Sequence, residues 1–184
     1  MLRIKMSATG MLRTELYLLM YAVAKEHRDF AKQVAGKVRN EEIKESMISI
    51  LFSFTCLEAH INAIGRDRLG SDWQKYEGSS VGDKWMGVSK RLASKKHGKS
   101  WDVFNKDKKP FASFLELKKI REDYLVHWKA PFSEGVKTKY GNTGAAAINI
   151  LNCERAEWAC NIVKEMVHKL HDNIDNPLPL EWLD

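Results

Sequence analysis

The chain has 184 residues, and 30 Lys and Arg against 24 Asp and Glu give it a formal net charge of +6. With 44% hydrophobic and 29% charged residues, the composition excludes a disordered, fibrous or membrane-embedded protein and is typical of a globular domain. Its three cysteines form no Cys-x-x-Cys pair, which argues against a disulfide framework or a cysteine zinc site and favours a reducing cytoplasm. We expect one domain over residues 1–184, with loose ends at 1–10 and 176–184.

The first predicted helix runs from about Met11 to Ala35 or Val38. Its apolar residues recur at helical spacing and define one face: Leu16, Leu19, Met20, Val23, Phe30, Val34 and Val38. The longest apolar run, Leu16 to Ala24, is far shorter than the roughly 20 residues that a transmembrane helix needs. Basic residues before this run and the Ala-Val-Ala sequence at 22–24 also fit a signal peptide, but the helical spacing continues past that point and favours a helix of the fold.

The second predicted helix runs from Glu41 to about Ile64 and ends near Gly65, with Asn40 as its N-cap. Its apolar stripe consists of Ile43, Met47, Ile50, Leu51, Phe54, Leu57, Ile61 and Ile64. The link between the first two helices is short, so we expect them to be antiparallel neighbours. His60 lies away from the main apolar face and is therefore expected to be exposed.

Residues 65–109 are rich in glycine and lysine. The sequence Ser80-Val-Gly-Asp83 predicts the start of a short helix. From Lys84 to Lys109, nine basic residues stand against two acidic ones, and this net charge of +7 exceeds that of the whole chain. The stretch also contains Trp85, Trp101 and Phe104. It is either a solvated basic loop that its aromatic residues anchor to the bundle, or a surface for a polyanion.

Pro110 is well placed at the first turn of a third long helix, Phe111 to Lys129, which Pro131 ends. A glycine-rich loop at 133–144 separates it from the last helix, about Ala146 to Ile174. No strand pattern competes with these helices. The sequence therefore predicts an all-α fold: an up-and-down bundle of four long helices, with a short helix in the long connection before the third long helix.

Two charged residues fall where a helical wheel places apolar ones. Arg121 lies in the middle of the apolar arc of the third long helix, and Glu58 lies inside the arc of the second. An unpaired buried charge is very costly, so we expect Glu58 and Arg121 to meet. They form either a buried ion pair that fixes the helix register or part of a functional site.

His127 lies at the edge of the same arc as Arg121, and Asp123 precedes it by one helical turn. The sequence Arg121-Glu-Asp-Tyr-Leu-Val-His127 resembles the signature of HEPN domains, an Arg and a His separated by four to six residues on a late helix of an all-α bundle. The segment Phe54 to Asn62, with Glu58 at its centre, resembles an early HEPN helix. One departure is Glu122, since many members have Asn directly after the Arg.

The resemblance implies a metal-independent endoribonuclease, often a toxin of a defence system, that acts as a homodimer without a cofactor. Arg121 and His127 would be its catalytic residues: the imidazole, with an ordinary pKa of about 6.5, moves protons, and the guanidinium binds phosphate oxygens. The 2′-OH of RNA is the nucleophile. Supporting roles would fall to Glu58, Glu122, Asp123 and Tyr124. The scattered histidines form no metal-ligand set.

The basic stretch fits this function as an RNA-binding surface. Its candidate RNA contacts are Lys90, Arg91, Lys95, Lys96 and Lys99. The partners expected are single-stranded RNA, a second copy of the chain, and an antitoxin or nucleotidyltransferase protein, with no membrane. Two alternatives remain open: a catalytically inactive HEPN-like module that binds a nucleotide, nucleic acid or protein, and a purely structural bundle.

Overall fold

A computed structural model describes residues 5–6, 12–13, 15–98, 101–126, 149–175 and 177–184. Its α-helices are Leu16–Val34 (α1), Arg39–Leu69 (α2), Gln74–Glu77 (α3), Val81–His97 (α4), Phe111–Ile120 (α5) and Cys153–Asp172 (α6). Short 3₁₀ turns cover Gly70–Trp73 and Glu181–Leu183, and a π-helical turn, Arg121–Val126, continues α5. The predicted all-α fold is confirmed, and one hydrophobic core draws on α1, α2, α4, α5 and α6.

Two very short strands lie in the N-terminal segment. Strand β1, Lys5–Met6, pairs antiparallel with β2, Leu12–Arg13, with Lys5 opposite Arg13. The sequence shows no strand pattern and predicts a loose end at 1–10. A strand is predicted from alternating apolar and polar residues over about four to eight positions. Two-residue strands are too short to show that alternation, so the sequence does not predict this pairing.

Contacts of α2 give its direction relative to α1 and to α6. In α1 and α2, the Ser49 hydroxyl donates to the Ala24 carbonyl at 2.8 Å, whereas Tyr17 near the start of α1 packs on His60 near the end of α2. These two helices are therefore antiparallel neighbours. In contrast, α2 and α6 run parallel, because Glu42 lies beside Cys153 and His60 lies beside His171.

Helix α1 does not bury the apolar face that its sequence defines. Leu16, Leu19 and Phe30 are exposed, and the buried side chains are Tyr17, Tyr21, Ala24 and Ala31. The small side chains of the two alanines let the backbones of α2 and α6 approach α1 closely. The Tyr21 hydroxyl also donates to the Cys160 carbonyl of α6 at 3.4 Å. Close packing and hydrogen bonding thus decide the buried side of α1, rather than the number of apolar residues.

Helix α2 extends past Gly65, where the sequence predicts its end. A Cβ at Gly65 would lie 2.4 Å from Cζ3 of Trp73, so this glycine allows the indole to pack against the helix. By length and composition alone, Arg39–Glu77 could cross a membrane, but half of its apolar window is buried inside the bundle. The core helix of a soluble protein passes the same test of length and composition, so this is weak evidence for a membrane span.

The helix predicted from Ser80 onward is present but longer than expected. The Ser80 hydroxyl accepts a hydrogen bond from the Asp83 backbone N–H at 3.2 Å, which is an N-cap. Since α4 continues to His97, the first half of the lysine-rich stretch is helical rather than a loop.

The last two long helices differ in part from the prediction. Helix α5 gives way at Arg121 to the π-helical turn, which continues to Val126, and the predicted end at 127–129 lies outside the described residues. Helix α6 begins at Cys153 because the Asn152 side chain caps it, accepting from the Arg155 N–H at 2.9 Å. A carboxylate oxygen of Glu42 accepts from the Cys153 N–H at 3.2 Å and adds a second cap.

Candidate functional site

Arg121 is the first residue of the π-helical turn and is half-buried against α2. Its guanidinium carbon lies 4.8 Å from the centre of the Phe54 ring, the geometry of a cation–π contact. Phe54 in turn stacks on Phe114 of α5. The Nε atom of Arg121 is buried and has no hydrogen-bond partner among the described residues. An aromatic ring thus positions this cation and leaves part of its hydrogen-bonding capacity unused.

The acidic residues after Arg121 have different surroundings. The Glu122 carboxylate lies 2.7 Å from the Lys118 ammonium, one helical turn back, and is partly exposed. The Oδ2 atom of Asp123 is buried and, within the described part of the chain, has no hydrogen-bond partner. Tyr124 is buried in the core. Glu122 is therefore held in a surface ion pair, and Asp123 is the acid whose oxygen has no described partner.

The π-helical turn itself distinguishes this part of the chain. Such turns are rare, and they occur often at functional sites because the extra residue per turn redirects side chains from the regular helix face. Here the turn spans Arg121–Val126. Leaving a polar atom buried without a partner costs about 1–3 kcal/mol, so the two such atoms in this turn carry a substantial local cost.

Glu58 does not pair with Arg121. It is half-buried on α2, and the ion pairs among the described residues include none between these two side chains. The guanidinium lies instead over Phe54, one helical turn before Glu58. The expected meeting of the two charges is therefore not observed, and the guanidinium packs on the Phe54 ring instead.

His127, the second predicted catalytic residue, lies outside the described residues, as does Lys99. Of the other predicted site residues, Arg121, Glu122, Asp123 and Tyr124 lie together on the π-helical turn.

The predicted RNA contacts on α4 fall into two groups. Lys90 pairs with Asp102 at 2.8 Å, and Arg91 pairs with Asp72 at 3.0 Å, so both cations already have acidic partners. Lys95 and Lys96 are exposed near the C-terminal end of α4, and the Lys96 ammonium donates to the Asp172 carbonyl at 3.0 Å.

The three aromatic residues of the basic stretch also differ. Trp85 and Phe104 are buried in the core and pack edge to face, with ring centres 5.5 Å apart. They anchor the stretch to the bundle and cannot stack on a base from solution. Trp101, in contrast, is 45% exposed.

His60 and His171 form a buried pair that the sequence does not predict. His60, expected to be exposed, is fully buried, and its Nε2 lies 3.2 Å from Nε2 of His171. The Leu178 N–H donates to Nδ1 of His171 at 3.1 Å, so the neutral His171 carries its proton on Nε2 and donates to His60. Burial lowers the pKa of His60 to about 3 and that of His171 to about 4.

Aromatic rings enclose this pair. Tyr17 meets His60 edge to face at 4.8 Å, and Trp182 from the C-terminal segment lies 5.7 Å from it. Trp182 therefore packs back on the bundle, although it belongs to the segment 176–184 that the sequence predicts to be a loose end. His60 was missed because its neighbours on α2 are small and not strongly apolar. The buried residues of this second face are Ser46, Ser49, Ser53 and Cys56.

Among the described residues, no group of three or more His, Cys, Asp and Glu side chains is arranged to hold a metal ion. The three thiols are free: Cys56 and Cys160 are buried, and Cys153 is half-buried. Burial raises the pKa of the Cys56 and Cys160 thiols, which makes them poor nucleophiles.

No family model, curated protein or solved structure matches the chain.

Proposed function

We propose that the protein is a metal-independent endoribonuclease of the HEPN type, with Arg121 and His127 as catalytic residues. One observation of the structure carries the proposal: a π-helical turn that begins at Arg121 and holds two buried polar atoms, Arg121 Nε and Asp123 Oδ2, without described partners. A stability-optimised core would not keep such atoms, whereas a phosphate-binding cation and an acid that orients a base need unused capacity.

The chemistry requires only groups that this turn and its continuation supply. The 2′-oxygen of RNA attacks the adjacent phosphorus, giving a 2′,3′-cyclic phosphate and releasing the 5′-hydroxyl of the next nucleotide. His127 takes the proton that the 2′-hydroxyl loses and delivers it to the departing 5′-oxygen. The Arg121 guanidinium, already oriented by Phe54, binds the phosphorane oxygens as negative charge develops on them.

Asp123 is the best candidate for the supporting acid. It precedes His127 by four residues, and its Oδ2 has no described partner, whereas Glu122 is already bound to Lys118. Glu58 is half-buried on the turn after Phe54 and remains a second supporting residue through its charge alone. Tyr124 contributes packing that fixes the turn.

The test is cleavage of a single-stranded RNA in the presence of EDTA. Wild-type protein should produce fragments ending in a 2′,3′-cyclic phosphate, and Arg121→Ala and His127→Ala should each abolish them. Matched controls are Arg66→Ala and His168→Ala, both exposed on the bundle surface, which should cut as wild type does. Normal cutting by both Arg121→Ala and His127→Ala would overturn the proposal.

The second candidate is a catalytically inactive module of the same fold that binds a nucleotide, nucleic acid or protein. The Glu122–Lys118 ion pair favours it, since this acid stands where many family members carry Asn and is not available to the site. It predicts RNA binding or tight association with a protein partner but no cleavage by the wild type.

The proposal also includes a cytoplasmic homodimer and an antitoxin or nucleotidyltransferase partner. Sedimentation of the purified protein should give twice the monomer mass if the homodimer forms, and a monomer mass at micromolar concentration would contradict that part.

A further inference from the structure

Trp101 is an exposed tryptophan outside the Arg121 site. Its solvent-exposed fraction is 45%, whereas Trp73 and Trp85 are buried. An indole has a large flat apolar face, and leaving it in water forgoes a substantial burial free energy. Its exposure therefore needs an explanation from its surroundings.

The ring is held rigidly. Its centre lies 4.6 Å from that of the His97 imidazole with an angle of 26° between the planes, so one face is covered by a stacked ring. The indole Nε1–H donates to the side-chain oxygen of Asn173 at 3.0 Å, which fixes the ring's rotation. A side chain that is already ordered loses little conformational entropy when a second flat ring stacks on its open side.

Positive charge lies beside this ring. The Lys96 ammonium donates to the backbone carbonyl of Asp172, and the next residue, Asn173, accepts from the Trp101 indole. The cation and the indole are therefore both held at the C-terminal end of α6. Lys95 is exposed on the same turn of α4 and makes no hydrogen bond or ion pair with another described residue. Asp102, the residue after Trp101, is paired with Lys90 at 2.8 Å, so its negative charge is already balanced.

We propose that Trp101 is a stacking platform for a nucleobase of single-stranded RNA, with Lys95 and Lys96 contacting the flanking phosphates. A flat ring next to cations is how proteins bind single strands, because the ring stacks on any base while the lysines follow the backbone. A protein partner is the less favoured occupant, since lysine is depleted in protein–protein interfaces. The choice of RNA as the strand rests on the proposed function.

The test measures binding of a fluorescein-labelled oligouridylate with 2′-O-methyl groups, which cannot be cut by 2′-oxygen attack. Trp101→Ala should weaken binding about 5- to 150-fold, the equivalent of one lost stacking contact. Trp101→Phe should restore most of the affinity because it keeps a flat ring. Lys95→Gln with Lys96→Gln should weaken binding and reduce its dependence on salt concentration.

Phe30→Ala is the matched control, since Phe30 is 44% exposed on α1, and it should bind as wild type does. Equal affinity of Trp101→Ala and wild type would overturn the inference and leave a protein contact as the role of Trp101. Because the probe is uncleavable, the result is independent of catalysis. If RNA cleavage fails but Trp101→Ala still loses affinity, the platform stands and the ribonuclease does not.

Discussion

Two groups of polar side chains have atoms in the interior of this bundle, and they differ in how many of these atoms have hydrogen-bond partners. The His60–His171 pair forms a directed chain of hydrogen bonds from the Leu178 N–H through both rings, enclosed by Tyr17 and Trp182. Its one described atom without a partner is Nδ1 of His60. In the π-helical turn, Arg121 Nε and Asp123 Oδ2 are both without described partners.

The difference indicates what each group contributes. A nearly satisfied network in an aromatic enclosure adds to stability and ties the C-terminal segment to the bundle. Two buried polar groups of opposite charge that have no partner among the described residues reduce stability and keep capacity for a ligand. We infer that the histidine pair is structural and that the Arg121 turn is functional.

The largest expected effect is that of His60→Ala on stability. The substitution leaves a cavity among Tyr17, Trp85 and Trp182 and removes the acceptor of the His171 Nε2–H. We expect the free energy of unfolding, measured by urea denaturation, to fall by about 4 kcal/mol. His168→Ala on the exposed side of α6 should change it by less than about 0.5 kcal/mol. Equal losses for the two variants would show that the pair is not structural.

Arg121→Met should change the free energy of unfolding little and lower RNA cleavage strongly. Methionine keeps the packing on Phe54 and removes the partnerless Nε, so the free energy of unfolding should stay within about 1 kcal/mol of wild type. RNA cleavage should fall at least about 100-fold, since the cation that stabilises the phosphorane is lost. A variant that is strongly destabilised but still cuts RNA would assign Arg121 to structure.

Acid should destabilise the protein through the histidine pair. Because burial lowers the pKa of His60 to about 3 and of His171 to about 4, the unfolded chain binds more protons below about pH 6.5. The stabilisation is present near neutral pH and is lost as the pH falls towards 4. Urea denaturation should show about 1.5 kcal/mol lost for each histidine between pH 6.5 and 5.

The control for that prediction is the double variant His60→Gln with His171→Gln, which has no imidazole to protonate at these positions. Its free energy of unfolding should change less over the same interval. Arg68 and His168, which lower the pKa of His171 further, and Asp172, which raises it, stay in place in both proteins. A slope identical to that of wild type would mean that other groups cause the acid sensitivity.

The smallest effect is expected between Glu58 and Arg121. Since no ion pair joins them, a double-mutant cycle of Glu58→Gln and Arg121→Met should give a coupling energy within about 0.5 kcal/mol of zero. Urea denaturation of the four proteins measures it. A coupling above about 2 kcal/mol would restore the buried ion pair that the helical wheel predicts.

The sequence predicted the parts of the fold that local rules determine. The Ser80 cap, the antiparallel α1 and α2 and the all-α bundle follow from capping residues and spacing. The buried side of α1 and the burial of His60 do not, because alanines and serines with little apolar surface allow close helix packing there. The π-helical turn at Arg121 was read as a regular helix, since its sequence has ordinary helical spacing.

The most direct measurement compares Arg121→Met and His171→Gln at one temperature where both are folded, by RNA cleavage in EDTA together with thermal unfolding. Our account predicts that Arg121→Met keeps a near wild-type midpoint and does not cut. It predicts that His171→Gln has a lower midpoint and cuts at the wild-type rate. An active Arg121→Met together with an inactive, folded His171→Gln would contradict it.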